Sequence, residues 1–199
     1  MSPRAKANAG VPGPTVTVDW LAEHLDDAEV RIVHLAADRR VYNKGHLPGA
    51  AFTDLDRDLV PPVVPTAEGI EGAGDVPTHD QVQAALRRWR VGEGDRIVLY
   101  EVGSAKQSSR LVALLDLYGF PLERVHRLEG GIEAWRTAGH PTTADIPEAD
   151  LADALRQPVR LENLDPSRLP AYRATAAEAT AGPDEPAEGS ADEPSDEPS

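Results

Sequence analysis

Ile97-Val98-Leu99-Tyr100, then Glu101-Val102-Gly103-Ser104-Ala105-Lys106, then the apolar stretch from Ser108 to Tyr118 form the succession that decides the fold. The first run is short, wholly apolar and preceded by the stop Val91-Gly92-Glu93-Gly94-Asp95, the pattern of a central strand. The last run predicts a helix that ends at Gly119. Between them lie six loop residues whose N–H groups gather near a helix N-terminus, where positive potential suits an anion.

Toward the C-terminus, Pro121 precedes Val125-His126-Arg127-Leu128, a further strand. Gly130-Gly131 then turns into a short helix through Trp135, closed by Gly139-His140-Pro141. Toward the N-terminus, Thr78 is placed to cap a helix with Val82, Ala85, Leu86 and Trp89 as its apolar stripe. Asp54 to Thr78 is rich in Pro, Gly and acids and reads as a long surface excursion rather than a core element. Tyr42 to Phe52, with Gly45, Pro48 and Gly49, reads as a loop delivering a short strand, and Val30 to Leu35 as a buried strand. Val16-Thr17-Val18 is β-prone, with Asp19 the expected cap of a helix carrying Trp20, Leu21, His24 and Leu25.

Strands alternating with helices predict an α/β domain, a mostly parallel central sheet with helices on both faces. Reactive sites in such sheets lie at the carboxyl ends of the strands, and the loop after Tyr100 is at that edge. The expected organisation is a flexible N-terminus over 1–14, the folded domain over 15–143, a linker over 144–180 and a disordered acidic tail over 181–199. The linker has room for a short helix between Asp145 and Leu164, before Pro166 and Pro170 break the pattern.

The 199 residues suit one core, and with 40% hydrophobic but only 5% aromatic residues that core must be aliphatic. The net charge of -14 is concentrated at the end: Glu178, Asp184, Glu185, Glu188, Asp192, Glu193, Asp196 and Glu197 have no Lys or Arg beside them after Arg173. That field disfavours nucleic acid and anionic membrane as partners. No run is long and apolar enough to span a bilayer and no apolar segment follows Arg4 and Lys6, so a cytoplasmic protein is expected. The absence of cysteine excludes disulfides, thiolate-ligated metals and a persulfide on this chain. No metal or other cofactor is expected.

Four stretches together resemble the rhodanese, or sulfurtransferase, family over residues 15–143. They are Val18-Asp19-Trp20-Leu21-Ala22 with His24-Leu25, the run Tyr42 to Ala50 containing Gly45-His46-Leu47-Pro48-Gly49, the strand-loop-helix Ile97 to Phe120, and Leu128-Glu129-Gly130-Gly131-Ile132-Glu133-Ala134-Trp135. The long excursion before Thr78 and Leu117-Tyr118-Gly119-Phe120 look most like the non-catalytic N-terminal domain of tandem thiosulfate or 3-mercaptopyruvate sulfurtransferases. Pro170-Ala171-Tyr172-Arg173-Ala174 is similar to the opening of their second domain, yet here it runs into the acidic tail. In active relatives the first loop position is a cysteine that carries sulfur as a persulfide. Glu101 stands there, and a carboxylate forms no persulfide.

The resemblance therefore implies a catalytically silent domain that works by binding a sulfurtransferase, a sulfur-carrier protein or another enzyme. Two alternatives are a sulfurtransferase using a partner's cysteine and a scaffold acting through the acidic tail. No residue is assigned as catalytic. Glu101, Val102, Gly103, Ser104, Ala105, Lys106 and Arg110 form the expected pocket loop. Either Glu101 plugs the loop with its own carboxylate, or it turns outward and leaves Lys106 and the loop N–H groups to hold a small anion. Arg110 is expected to face the pocket or to pair with Glu101 or Asp116. His46 is read as a tie for loop backbone, His34 as a core or edge histidine, and Asp38, Arg39 and Arg40 as a solvated rim. Gly103-Ser104-Ala105-Lys106 lacks the pattern of a phosphate-binding P-loop, and Ser104 has no assignable acid and histidine for hydrolase chemistry.

Overall fold

Short aliphatic runs separated by amphipathic stretches give seven strands and seven α-helices among the described residues, 12–61, 63–66, 69–73, 76–103, 105–145 and 159–180, of a computed structural model. The strands are β1 (Thr15–Val16), β2 (Val30–Leu35), β3 (Ala51–Thr53), β4 (Val63–Thr66), β5 (Gly69–Ala73), β6 (Arg96–Glu101) and β7 (Val125–Leu128). The helices are α1 (Val18–Glu23), α2 (Arg39–Lys44), α3 (Leu55–Asp58), α4 (His79–Arg88), α5 (Lys106–Leu117), α6 (Gly131–Thr137) and α7 (Leu169–Thr180).

Five strands form one parallel sheet in the order β1-β7-β6-β2-β3, the α/β architecture expected. Side-chain alternation divides the interior in two. Val33, Leu35, Ile97 and Leu99 point to one face, where they meet Leu86 and Trp89 near α4 and Leu111, Leu114 and Leu115 of α5. Ile32, Val98 and Tyr100 point to the other and meet Leu21, Ile132 and Trp135. Register aligns Leu35 of β2 with Glu101 of β6, so β6 delivers Glu101 to the carboxyl edge of the sheet.

Several local expectations need correction. Thr17, not Asp19, caps α1: its extended backbone lets its hydroxyl accept from the Trp20 N–H at 3.2 Å. The segment from Tyr42 is not loop throughout, because Asp38 accepts from the Arg40 N–H at 2.8 Å and starts α2, which buries Tyr42. The excursion after Asp54 does reach the core. Asp54 caps α3, placing Leu55 and Leu59 among the buried residues, and β4 and β5 pair as an antiparallel hairpin. Pro166 opens a 3-10 turn and Pro170 lies in the first turn of α7, where a missing N–H costs nothing.

Val159 and Tyr172 join the same core as Leu111 and Leu114, so the segment read as linker contains a helix packed on the domain. Most of the helix expected between Asp145 and Leu164 falls outside the described residues, as do the tail over 181–199, most of the N-terminal lead-in and Ser104.

Candidate functional site

The loop after β6 bends through Gly103, at φ +85°, and feeds α5. Ala105 occupies the N-cap position and offers no side-chain acceptor. Glu101 supplies it instead. One carboxylate oxygen accepts from the Gln107 N–H at 3.1 Å, and the other from the Ser108 N–H at 3.1 Å and the Ser108 hydroxyl at 2.7 Å. The helix thus begins at Lys106 rather than at Ser108, and the place of positive potential at its N-terminus holds a carboxylate of the same chain.

Gly131 closes the other wall. With φ at +57°, it brings the start of α6 so near β6 that a Cβ on it would stand 2.5 Å from the Glu101 carbonyl oxygen. Tyr100 anchors the base: its hydroxyl accepts from the Leu47 N–H at 3.0 Å and is hydrogen-bonded to His34 Nδ1 at 3.1 Å. Burial holds the Tyr100 phenol well above its ordinary range, so it stays protonated. His34 lies in the core, and its pKa is lowered to about 4, first by burial and then by the neighbouring charges of His46 and Arg136. His34 Nε2 has no hydrogen-bond partner among the described residues. His46 ties backbone, its ring nitrogens lying 2.9 Å from the Tyr42 carbonyl and 3.0 Å from that of Asp145.

A cleft of about 260 Å³ remains beside Glu101, lined also by Gly103, Ala105, Ser108, Arg127, Glu129 and Gly131. Of the expected pocket residues it therefore gathers Glu101, Gly103 and Ala105. Val102 is 49% exposed on the rim, and Lys106 opens α5 without lining the cleft. Arg110 is the clear correction. It turns away to pair with Asp56 of α3, while Asp116 pairs with Arg168. Residue type alone favoured no one carboxylate, and only the packing of α3 beside α5 selects Asp56. Ser108, Arg127 and Glu129 went unnoticed as site residues. Ser108 had one local signal, a hydroxyl in the first turn of a helix that starts two residues earlier than read.

The rim expected from Asp38, Arg39 and Arg40 is also resolved differently. Asp38 and Arg40 pair with each other at 2.9 Å, and Arg39 lies over the Phe52 ring at 5.1 Å. Among the described residues no cluster of three or more His, Cys, Asp or Glu side chains could hold a metal ion.

A strand end, the loop that follows it to a helix N-terminus and a glycine-tight wall thus surround the Glu101 carboxylate. Three comparisons bear on its origin. The family description "Rhodanese-like domain" matches residues 17–138. The chain is similar to a probable 3-mercaptopyruvate sulfurtransferase of Pseudomonas aeruginosa, with 36% identity over 50% of this chain and 34% of that protein. It is also similar to the sulfur carrier protein TtuD of Thermus thermophilus, with 27% identity over 68% and 44% of the two chains. The 3-mercaptopyruvate sulfurtransferase of Escherichia coli shares 30% identity over 61% and 43%. The chain thus spans less than half the length of each of these relatives. In fold it resembles the crystal structure of SseA from Escherichia coli, with a TM-score of 0.58 and 22% identity over 78% of this chain and 57% of that one. With the matched region taking in four of the five strands of the sheet, the Glu101 loop and α6, the chain belongs to the rhodanese-like family.

Proposed function

We propose that this rhodanese-like domain is a catalytically silent binding subunit associated with sulfur transfer in the cytoplasm. The observation that carries the reading is the Glu101 carboxylate, which accepts from Gln107 and Ser108 in the cradle of a chain with no cysteine. A thiolate nucleophile is absent, and a soluble anion such as thiosulfate meets a negative charge where it would otherwise bind. What remains is a shaped surface, with Val102 exposed beside the cleft, suited to a sulfurtransferase, a sulfur-carrier protein or another enzyme that brings its own thiol. Similarity to partial lengths of proteins named sulfurtransferase and sulfur carrier supports this setting.

The test pairs two measurements on the full chain. Thiocyanate formation from thiosulfate and cyanide should not exceed the protein-free rate, and the chain should co-elute with at least one sulfur-handling protein. Turnover by the purified chain alone, or failure to associate with any such protein, overturns the reading.

The cleft that persists beside Glu101 favours a second reading, a sulfurtransferase completed by a partner's cysteine. Turnover would then appear only in the mixture and would vanish when that cysteine is replaced.

A further inference from the structure

Toward the amino ends of the strands, the end opposite Glu101, the sheet leaves one ladder position open. β6 pairs with β2 along all of Val30–Leu35, whereas β3 pairs only with its second half, Val33 with Ala51, His34 with Phe52 and Leu35 with Thr53. The Arg96 N–H donates to the Glu29 carbonyl at 2.8 Å, and the Ala36 N–H donates to the Thr53 carbonyl at 3.1 Å. Peptide groups alternate sides along a parallel strand, so those of Arg31, Val33 and Leu35 face β6 and those of Val30, Ile32 and His34 face the β3 side. In this register Gly49 would stand opposite Arg31 if β3 began two residues earlier. It is withdrawn by a turn over Leu47-Pro48-Gly49-Ala50: the Ala50 N–H donates to the Leu47 carbonyl at 3.1 Å, and Gly49 takes φ +75°.

The turn leaves two backbone groups without a partner among the described residues, the Val30 carbonyl and the Ile32 N–H. Their companions are satisfied: the Val30 N–H donates to the Asp27 carbonyl at 3.0 Å, and the register gives the Ile32 carbonyl to the Ala51 N–H. In a parallel ladder such a pair serves a single residue of the next strand, which donates to one group and accepts from the other. Val30 and Ile32 line a cleft of about 380 Å³ whose walls include Leu25, Ala28, Pro48, Ala51 and Phe52, room for a small ligand. Its charges balance. Arg31 is paired with Asp95 at 3.0 Å and Arg88 with Asp58 at 2.8 Å, and Arg39 and Arg90 are matched in number by Asp26 and Asp27. The cleft therefore favours an occupant that offers an amide and carries no net charge.

We propose that this position is a docking site for an extended, uncharged segment of a partner protein, which joins the sheet beside Arg31 where the turn withdraws Gly49. The segment runs parallel to β2, as β3 does. Its central residue donates to the Val30 carbonyl and accepts from the Ile32 N–H. Alternation turns the residues on either side toward the face of Val30 and Ile32, against which Leu25 packs, so apolar side chains belong there. The central side chain lies on the face of Arg31, where a small polar group fits. Main-chain hydrogen bonds supply the attraction and the two flanking side chains the selectivity. The site is independent of the Glu101 cleft, with which it shares no lining residue.

Amide hydrogen exchange on the full chain tests the position first empty and then filled. In the free chain the Ile32 N–H should exchange about tenfold or more faster than those of Arg31 and Val33, which β6 holds. The blocked tripeptide acetyl-Val-Ser-Val-amide, added at about 1–10 mM as suits a few ladder contacts, should slow that exchange and shift the amide signals of Ile32, Gly49 and Ala51. The same peptide methylated on its serine nitrogen cannot donate to Val30 and should do neither. An Ile32 amide already as protected as its neighbours means that the chain fills the position itself, and overturns the proposal. Protection that rises with protein concentration alone overturns it in favour of a second copy. No response to the tripeptide, or an equal response to its methylated form, overturns it as well.

Discussion

At position 101 one side chain serves two ends. It caps α5 from outside the helix, because Ala105 at the N-cap has no acceptor, and it places negative charge at the N-terminus of that helix. Glu101→Ala strands the Gln107 and Ser108 backbone donors at a nearly buried position, while the Ser108 hydroxyl keeps the Ala105 carbonyl as an acceptor at 3.0 Å. It should therefore cost about 1–3 kcal/mol in urea denaturation. Sulfate or thiosulfate should restore part of the melting temperature of that variant and leave the parent unchanged. His34 makes the complementary prediction for pH. Its folded pKa of about 4 lies below its ordinary 6.5, so between these values the unfolded chain binds a proton that the folded chain does not. Stability is then full above about 6.5 and falls as the pH drops toward 4, by at most on the order of 3 kcal/mol. Urea midpoints across that window should show the decline, and His34→Gln should flatten it. His126, also lowered chiefly by burial, acts in the same direction.

Helices disclosed themselves according to where their caps lie. Thr78 and Gln81 exchange hydrogen bonds as a capping box, a device contained within four residues, and the start of α4 was legible for that reason. Thr78→Ala should cost about 1 kcal/mol, measured by thermal or urea unfolding. α2 and α3 are only six and four residues long, too short for a period to show, and both rely on an aspartate cap in a segment that otherwise reads as loop. α6 depends on close approach. Gly131→Ala must accept both a positive φ and a contact with the Glu101 carbonyl, so it should lose more than about 1 kcal/mol and shift the amide resonances of Glu101 and Gly103. An unchanged spectrum would show that this wall is less tight than the geometry indicates.

Across the whole molecule, the sheet is covered on both faces and the last described helix belongs to one of the two cores. Tyr172 is 2% exposed and sits with Leu111 and Leu114, so the segment after Val159 contributes to stability rather than merely leading away. Tyr172→Ala should cost about 3–5 kcal/mol while unfolding remains one transition. A second, separate transition, or a loss below about 1 kcal/mol, would place α7 outside the cooperative unit.

Local order of residues determined much of this protein. The apolar run before Glu101, the alternation of strands and helices and the glycines around α6 sufficed for a parallel α/β domain with a loop at its carboxyl edge, and the missing cysteine was evident by inspection. Tertiary structure decided which carboxylate meets which donor. Arg110 selects Asp56, Glu101 selects Gln107 and Ser108, and α7 selects the face beside α5. The physical reason is range: hydrophobic periodicity and capping operate over a few neighbouring residues, whereas the choice among many chemically equivalent charges depends on which of them packing brings within hydrogen-bonding distance.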